Sequence, residues 1–249
     1  MSKGKRFKKN KNNFATIIFL IMFIFSGMQI LKYIKDGKQN KQIFEEISEY
    51  IAVENLEEGE IKKESIVDFN TLKEKNLDTI GYLKVNGTDI ESVVVQSKDN
   101  SYYLTHNFKK DNNKAGWIFA DYKNKLDGTD KNIVIYGHNM KDGSMFASLK
   151  KVLSSEWQQI EQNRYINFIT EKEVATYEIF SVYQIENEDY YITTDFNDDV
   201  SFQKFIDNVK YRSKKDFNVN VTSKDQLLTL STCADNNKYR VVVHSKKIL

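Results

Sequence analysis

The chain has 249 residues, with 37 Lys and Arg against 35 Asp and Glu, and a single cysteine. That length suits one sizeable domain with an appendage, and the near balance of charge removes any whole-molecule argument for nucleic acid or for an acidic partner. One cysteine also excludes an internal disulfide, so the thiol needs another account.

The basic excess is local. Lys3, Lys5, Arg6, Lys8, Lys9 and Lys11 crowd residues 1–13, and an uncharged run follows over 14–31. As a helix that run would span about 27 Å, close to the hydrocarbon thickness of a bilayer. A cleaved signal peptide would have a shorter apolar core, about 7–15 residues, ending in a small-residue site. Gln29, Ile30, Leu31 and Lys32 offer no such site. The expectation is an uncleaved, single-pass transmembrane anchor over 14–34 in the cell membrane. Residues 1–13 would then be cytoplasmic and the chain beyond Lys32 extracellular.

Residues 35–78 are highly charged, with Ile43, Phe44, Ile47, Ile51 and Leu56 at roughly helical spacing. They read as a linker of one or two amphipathic helices leading away from the membrane. The cluster Glu54, Glu57, Glu58 and Glu60 reads as a solvated helix face rather than a cation site. No metal and no cofactor are expected.

From residue 79 the pattern turns β-rich. Segments 80–85 and 90–96 flank Asn86 and Gly87, a hairpin signal. Further strands are expected at 116–121, 132–136, 165–170, 174–185, 226–232 and 239–245, interrupted by helical patterns at 144–152 and 200–211. Eight short strands with few helices predict a mainly β domain over 79–249, built as a closed or nearly closed barrel.

The chemistry concentrates in QLLTLSTC at 226–233 and YRVVVH at 239–244. A hairpin turning at Asn236 and Asn237 would pair 233 with 240. Alternation then puts Thr229, Ser231 and Cys233 on one face, opposite His244, Val242 and Arg240. The other face is apolar, with Leu228, Leu230, Val241 and Val243. A fixed positive charge beside a thiol lowers its pKa, and it can stabilise the oxyanion formed when a thiolate attacks a carbonyl. A nucleophilic cysteine also needs a proton partner, usually histidine. His244 would pair with Thr229, about 13 Å along the strand from Cys233, which is too far. His106 sits in the aromatic-rich YYLTHNF at 102–108 and reads as a packed structural residue. His138, just past the apolar strand and Gly137, is the choice, because rigid scaffolds present catalytic groups at strand ends.

These segments resemble the motifs of sortases. TLSTC at 229–233 is similar to the family's TLxTC signature, YGH at 136–138 to its histidine motif, and RVVV at 240–243 to its arginine strand. The order and spacing of His, Cys and Arg agree as well, and the resemblance covers roughly 78–249. It implies an eight-stranded sortase-type β-barrel with N-terminal helices and a helix in the connection before the Cys strand. The subclass most resembled is class B. SKDNSYYL at 97–104 resembles a class B segment that implicates Asn100 and Leu104 in substrate contact. By the same resemblance Tyr136, Ser231, Tyr191 and Ile192 line the substrate groove. Some family members carry an acidic residue directly after the cysteine. Here that position is Ala234, which leaves Asp235 as the remaining acidic candidate to assist His138.

The resemblance implies a membrane-anchored cysteine transpeptidase, with Cys233 as nucleophile, His138 as acid and base, and Arg240 as oxyanion stabiliser. It would cleave an Asn-Pro-X-Thr type sorting motif of an exported protein after Thr. The resulting thioester would pass to an amine of peptidoglycan or its precursor, in a Gram-positive host. The alternatives are a cysteine peptidase hydrolysing the same bond and a tethered binding domain with a degenerate site.

Overall fold

Because residues 14–31 carry no charge and the chain has no proline, nothing interrupts the N-terminal helix α1, Gly4–Ser48, in the computed structural model. The structure describes residues 4–52, 66–186, 188–234 and 239–249, with backbone alone at 4–13, 52, 66, 233 and 234. The chain divides into two units, Met1–Gln39 and Asn40–Leu249. In the first, the apolar side chains from Phe14 to Leu31 are largely exposed, as with Phe23 at 78% and Leu31 at 68%. The helix is long and apolar enough to cross a membrane by length and composition.

The second unit begins in the last turns of α1. Asn40 donates to the Gly116 carbonyl and accepts from the Asn113 amide. Ile43 and Ile47 are buried, and Phe44 stacks on Trp117 at 4.4 Å. Of the one or two helices expected over 35–78, the described residues hold the end of α1, to Ser48, and a second helix nearer the barrel. Strand β1 (Ile51–Ala52) then pairs antiparallel with β2 (Ile66–Val67), where β-branched residues favour extended backbone. Helix α2 (Phe69–Lys75) restarts because Asp68 caps it, accepting from the Thr71 amide. Leu56 and the cluster Glu54, Glu57, Glu58 and Glu60 lie outside the described residues.

Eight strands close the barrel: β3 (Thr79–Val85), β4 (Glu91–Val95), β5 (Phe119–Ala120), β6 (Asn132–Gly137), β7 (Tyr165–Ile169), β8 (Val174–Glu186), β9 (Leu227–Ala234) and β10 (Tyr239–Lys247). Their order around the wall is β10-β8-β7-β3-β4-β5-β6-β9. The Asn86–Gly87 signal does mark the β3–β4 hairpin, with Gly87 at φ +68°. The loop is wider than two residues, since the Val85 amide donates to the Ile90 carbonyl. Strand β5 is shorter than expected: Gly116 adopts φ +60°, and the Trp117 amide leaves the sheet to bond the Tyr103 carbonyl. The segment expected as a helix at 144–152 forms a 3₁₀ helix, Ala147–Leu153. It is followed by a short helix α3, Ser155–Gln159. Helix α4, Asp199–Tyr211, occupies the connection before β9, as expected, and opens on a capping box between Asp198 and Ser201.

Cross-strand register separates the two faces of the wall. Ile133, Leu228 and Ser245 are level on one face, and so are Ile135, Leu230 and Val243. Thr229, Ser231, Val242 and His244 belong to the other face, and all four are buried too. The polar face read from the sequence is therefore a covered layer. Phe205 of α4 meets His244 edge-on, with ring centroids 5.9 Å apart.

That layer is hydrogen-bonded throughout. Thr229 Oγ1 donates to Asn132 Oδ1 at 2.7 Å and lies 2.8 Å from His244 Nδ1. Since the single hydroxyl proton is spent on Asn132, His244 Nδ1–H donates to Thr229 and Nε2 accepts from the Tyr183 hydroxyl at 2.9 Å. Tyr190 donates in turn to Tyr183. Asn132 Nδ2 reaches the Thr193 carbonyl. Burial pushes the His244 pKa down to about 3, consistent with a neutral ring whose nitrogens are both engaged.

Candidate active site

Strand β9 lies between two neighbours of opposite sense, β6 parallel and β10 antiparallel. The antiparallel ladder pairs Cys233 with Arg240, the register the hairpin reading predicts. The parallel ladder pairs Tyr136 with Ser231 and Gly137 with Thr232. His138 and Cys233 are the residues that follow that last pair, one on each strand. Three adjacent strands thus bring His138, Cys233 and Arg240 to one end of the barrel. The expected turn residues Asn236 and Asn237, and Asp235 with them, lie outside the described residues.

Local sequence explains how His138 is held. A Cβ on Gly137 would stand 2.6 Å from the Phe146 ring, so only glycine lets that ring close on the end of β6. The Phe146 amide donates to the His138 carbonyl at 2.9 Å. His138 Nε2–H donates to the Leu104 carbonyl, also at 2.9 Å. That bond fixes the ring and leaves Nδ1 without a partner among the described residues. Leu104 ends the 3₁₀ helix Tyr102–Leu104, which is pinned where Asp99 accepts from the Ser101 and Tyr102 amides. Its side chain is 38% exposed.

His106 and His244 stand apart from this end. His106 stacks on Tyr102, ring centroids 4.1 Å apart and planes nearly parallel, and bonds the Tyr102 carbonyl. His244 is locked in the covered layer.

Tyr136 is half-buried and donates to Asp121 Oδ2 at 2.7 Å. Burial, then that bond, raise its phenol pKa, and the nearby Arg240 charge works against them. Asn100 donates to the same Asp121 oxygen at 2.8 Å. Tyr191 and Ser231 bond each other at 3.0 Å and are 2% and 1% exposed, while Ile192 is half-buried beside them. Asp121 joins two of the residues singled out from sequence, yet sequence reading saw it only as the end of a strand. A charged residue directly after an apolar strand was the one signal available. Among the described residues no group of three or more His, Cys, Asp or Glu could hold a metal ion.

A closed barrel that sets a cysteine between an arginine strand and a histidine strand end has the architecture of a cysteine acyl-transfer enzyme. Comparison with known proteins gives the family. The family described as Sortase domain matches residues 83–248. Sortase B of Listeria monocytogenes is 38% identical over 241 residues, 94% of this chain and 95% of that protein. Sortase B from Bacillus anthracis superposes with a TM-score of 0.74 at 35% identity, covering 86% of this chain and 99% of that one. A Staphylococcus aureus sortase B–substrate complex superposes at 0.68 with 30% identity, covering 90% and 97%. The chain belongs to the sortase family of cysteine transpeptidases, and its relatives are of class B.

Proposed function

We propose that the chain is a membrane-anchored transpeptidase in which Cys233 is the nucleophile, His138 the proton carrier and Arg240 the oxyanion stabiliser. The observation that carries this reading is the register that pairs Cys233 with Arg240 on β10, with His138 directly after the last residue of β6, the other neighbour of the Cys233 strand. The Cys233 thiol loses its proton to His138 and attacks the Thr carbonyl of an Asn-Pro-X-Thr type motif. Negative charge collects on that carbonyl oxygen, and the Arg240 guanidinium donates to it. His138 passes its proton to the leaving amine, and a thioester remains on Cys233. An amine of peptidoglycan or its precursor then attacks the thioester, His138 takes its proton, and the thiolate leaves.

Asn100, Leu104, Tyr136 and Ile192 form the substrate groove, with Tyr191 and Ser231 supporting its wall from behind. Residues 14–34 serve as the anchor, 1–13 remain cytoplasmic, 35–78 form the helical extension that links anchor to barrel, and 79–249 work outside the cell. Hydrolysis is the same chemistry with water in place of the amine, so access to the thioester decides between the two outcomes. The test is to incubate the protein with a panel of sorting-motif peptides and an oligoglycine amine and to read products by mass spectrometry. The expected product is the peptide cut after Thr and joined to the amine, for Asn-Pro-X-Thr sequences. Free acid alone, in excess amine, would make the chain a peptidase.

A further inference from the structure

Asp121 stands just past β5 and is 2% exposed. Its backbone is fixed from three sides: its amide donates to the Val134 carbonyl, and its own carbonyl accepts from Gln96 Nε2 and the Asn124 amide. Its carboxylate meets three donors. Oδ1 accepts from the Lys123 amide at 2.9 Å. Oδ2 accepts from Asn100 Nδ2 at 2.8 Å and from the Tyr136 hydroxyl at 2.7 Å. Among the described residues no cation pairs with it. Burying a carboxylate without a cation is costly unless its lone pairs are used, and here the donors that use them include two half-buried side chains of the groove. Asn100 is held at its other end as well, its Oδ1 accepting from the Tyr122 amide at 3.0 Å. The two bonds fix which way its amide points. One N–H and one carbonyl lone pair remain to meet an extended peptide.

We propose that Asp121 is the positioning residue of the substrate groove: one carboxylate oxygen clamps the Asn100 amide and the Tyr136 hydroxyl together, fixing the groove side chains that grip the sorting motif. The proposal rests on Asn100 and Tyr136 lining that groove. A carboxylate is required because both its oxygens accept. An asparagine at 121 has one accepting oxygen and one donating nitrogen, and either orientation turns that nitrogen onto a donor, the Lys123 amide or the Asn100 amide. The clamp lies beside the reacting centre rather than on it, so its loss acts first on substrate binding.

The test measures steady-state kinetics of the full chain in detergent, with sorting peptide and amine, for Asp121→Asn, Tyr136→Phe and the double variant. Asp121→Asn keeps the side-chain volume, and Tyr136→Phe removes one clamp bond without altering a buried charge. Asp121→Asn raises KM roughly tenfold, about 1.4 kcal/mol, and lowers kcat by much less. Tyr136→Phe added to Asp121→Asn costs less than it does in the parent, because the bond is already lost. Independently of turnover, the Asn100 side-chain amide resonances of ¹⁵N-asparagine-labelled protein, assigned by comparison with Asn100→Ala, move in Asp121→Asn. An unchanged KM, additive effects, or an unmoved Asn100 resonance overturns the clamp. A parent protein that turns over no sorting peptide overturns the reading of function instead, and the resonance then decides the clamp alone.

Discussion

Arg240 is the residue whose role divides the possible mechanisms most cleanly. If it donates to the oxygen that becomes an oxyanion, its interaction is stronger in the transition state than with bound peptide, and its removal appears in kcat. Losing one such donor costs about 10²–10³ in rate, roughly 3–4 kcal/mol. Arg240→Ala should lower kcat by that much, and Arg240→Lys should recover only part, keeping charge but losing the planar fork. A normal kcat with raised KM would make Arg240 a substrate clamp. At this scale the sequence was informative for a definite reason: a strand has a period of two, so a short hairpin dictates which residues stand opposite, and Cys233 opposite Arg240 followed from counting. The same counting sets His244 about 13 Å along the strand from Cys233, too far to serve it. What counting could not show were bonds across loops, the Leu104 carbonyl on His138 and the Asp121 carboxylate on Asn100 and Tyr136. These depend on segments 15 or more residues apart in sequence that strand periodicity does not relate.

Between elements, the buried layer around His244 ties β6, β8, β9 and β10 to the segment that carries Tyr190 and Thr193. Its neutral ring makes folding depend on pH. The folded pKa, about 3, lies below the usual histidine value of about 6.5. Between those values the unfolded chain binds a proton that the folded chain does not. Stability is therefore full above pH 6.5 and falls as pH drops below it, by up to about 1.4 kcal/mol per unit. Urea unfolding between pH 7 and pH 5 should show this slope, and His244→Gln should flatten it while weakening the fold at pH 7. Equal slopes for the two proteins would mean that His244 takes up its proton without unfolding. Strand positions were readable from hydrophobic alternation, and α4 from its apolar spacing. That α4 and the 190–193 segment would cover the polar face was not, because Thr229, Ser231 and His244 carry the same alternation whether their partners are water or other side chains. The end of α1 at Ser48 likewise leads into the pairing of Ile51 with Val67, a contact between distant residues.

For the molecule as a whole, the basic segment, the apolar helix and the barrel follow one another in the order expected of an enzyme tethered outside the membrane. In intact cells, added protease should digest the chain beyond Lys32 while an N-terminal tag stays protected; a protected barrel would reverse the orientation. Both half-reactions of the proposed chemistry share one covalent intermediate. Mass spectrometry of the intact protein, quenched in acid after mixing with an Asn-Pro-X-Thr peptide and no amine, measures it directly. The expected result is an adduct of the peptide up to its Thr, located on Cys233, discharged by added oligoglycine, absent in Cys233→Ala and formed far more slowly in His138→Ala. An adduct that persists in Cys233→Ala, or peptide cleavage there at the parent rate, would contradict it.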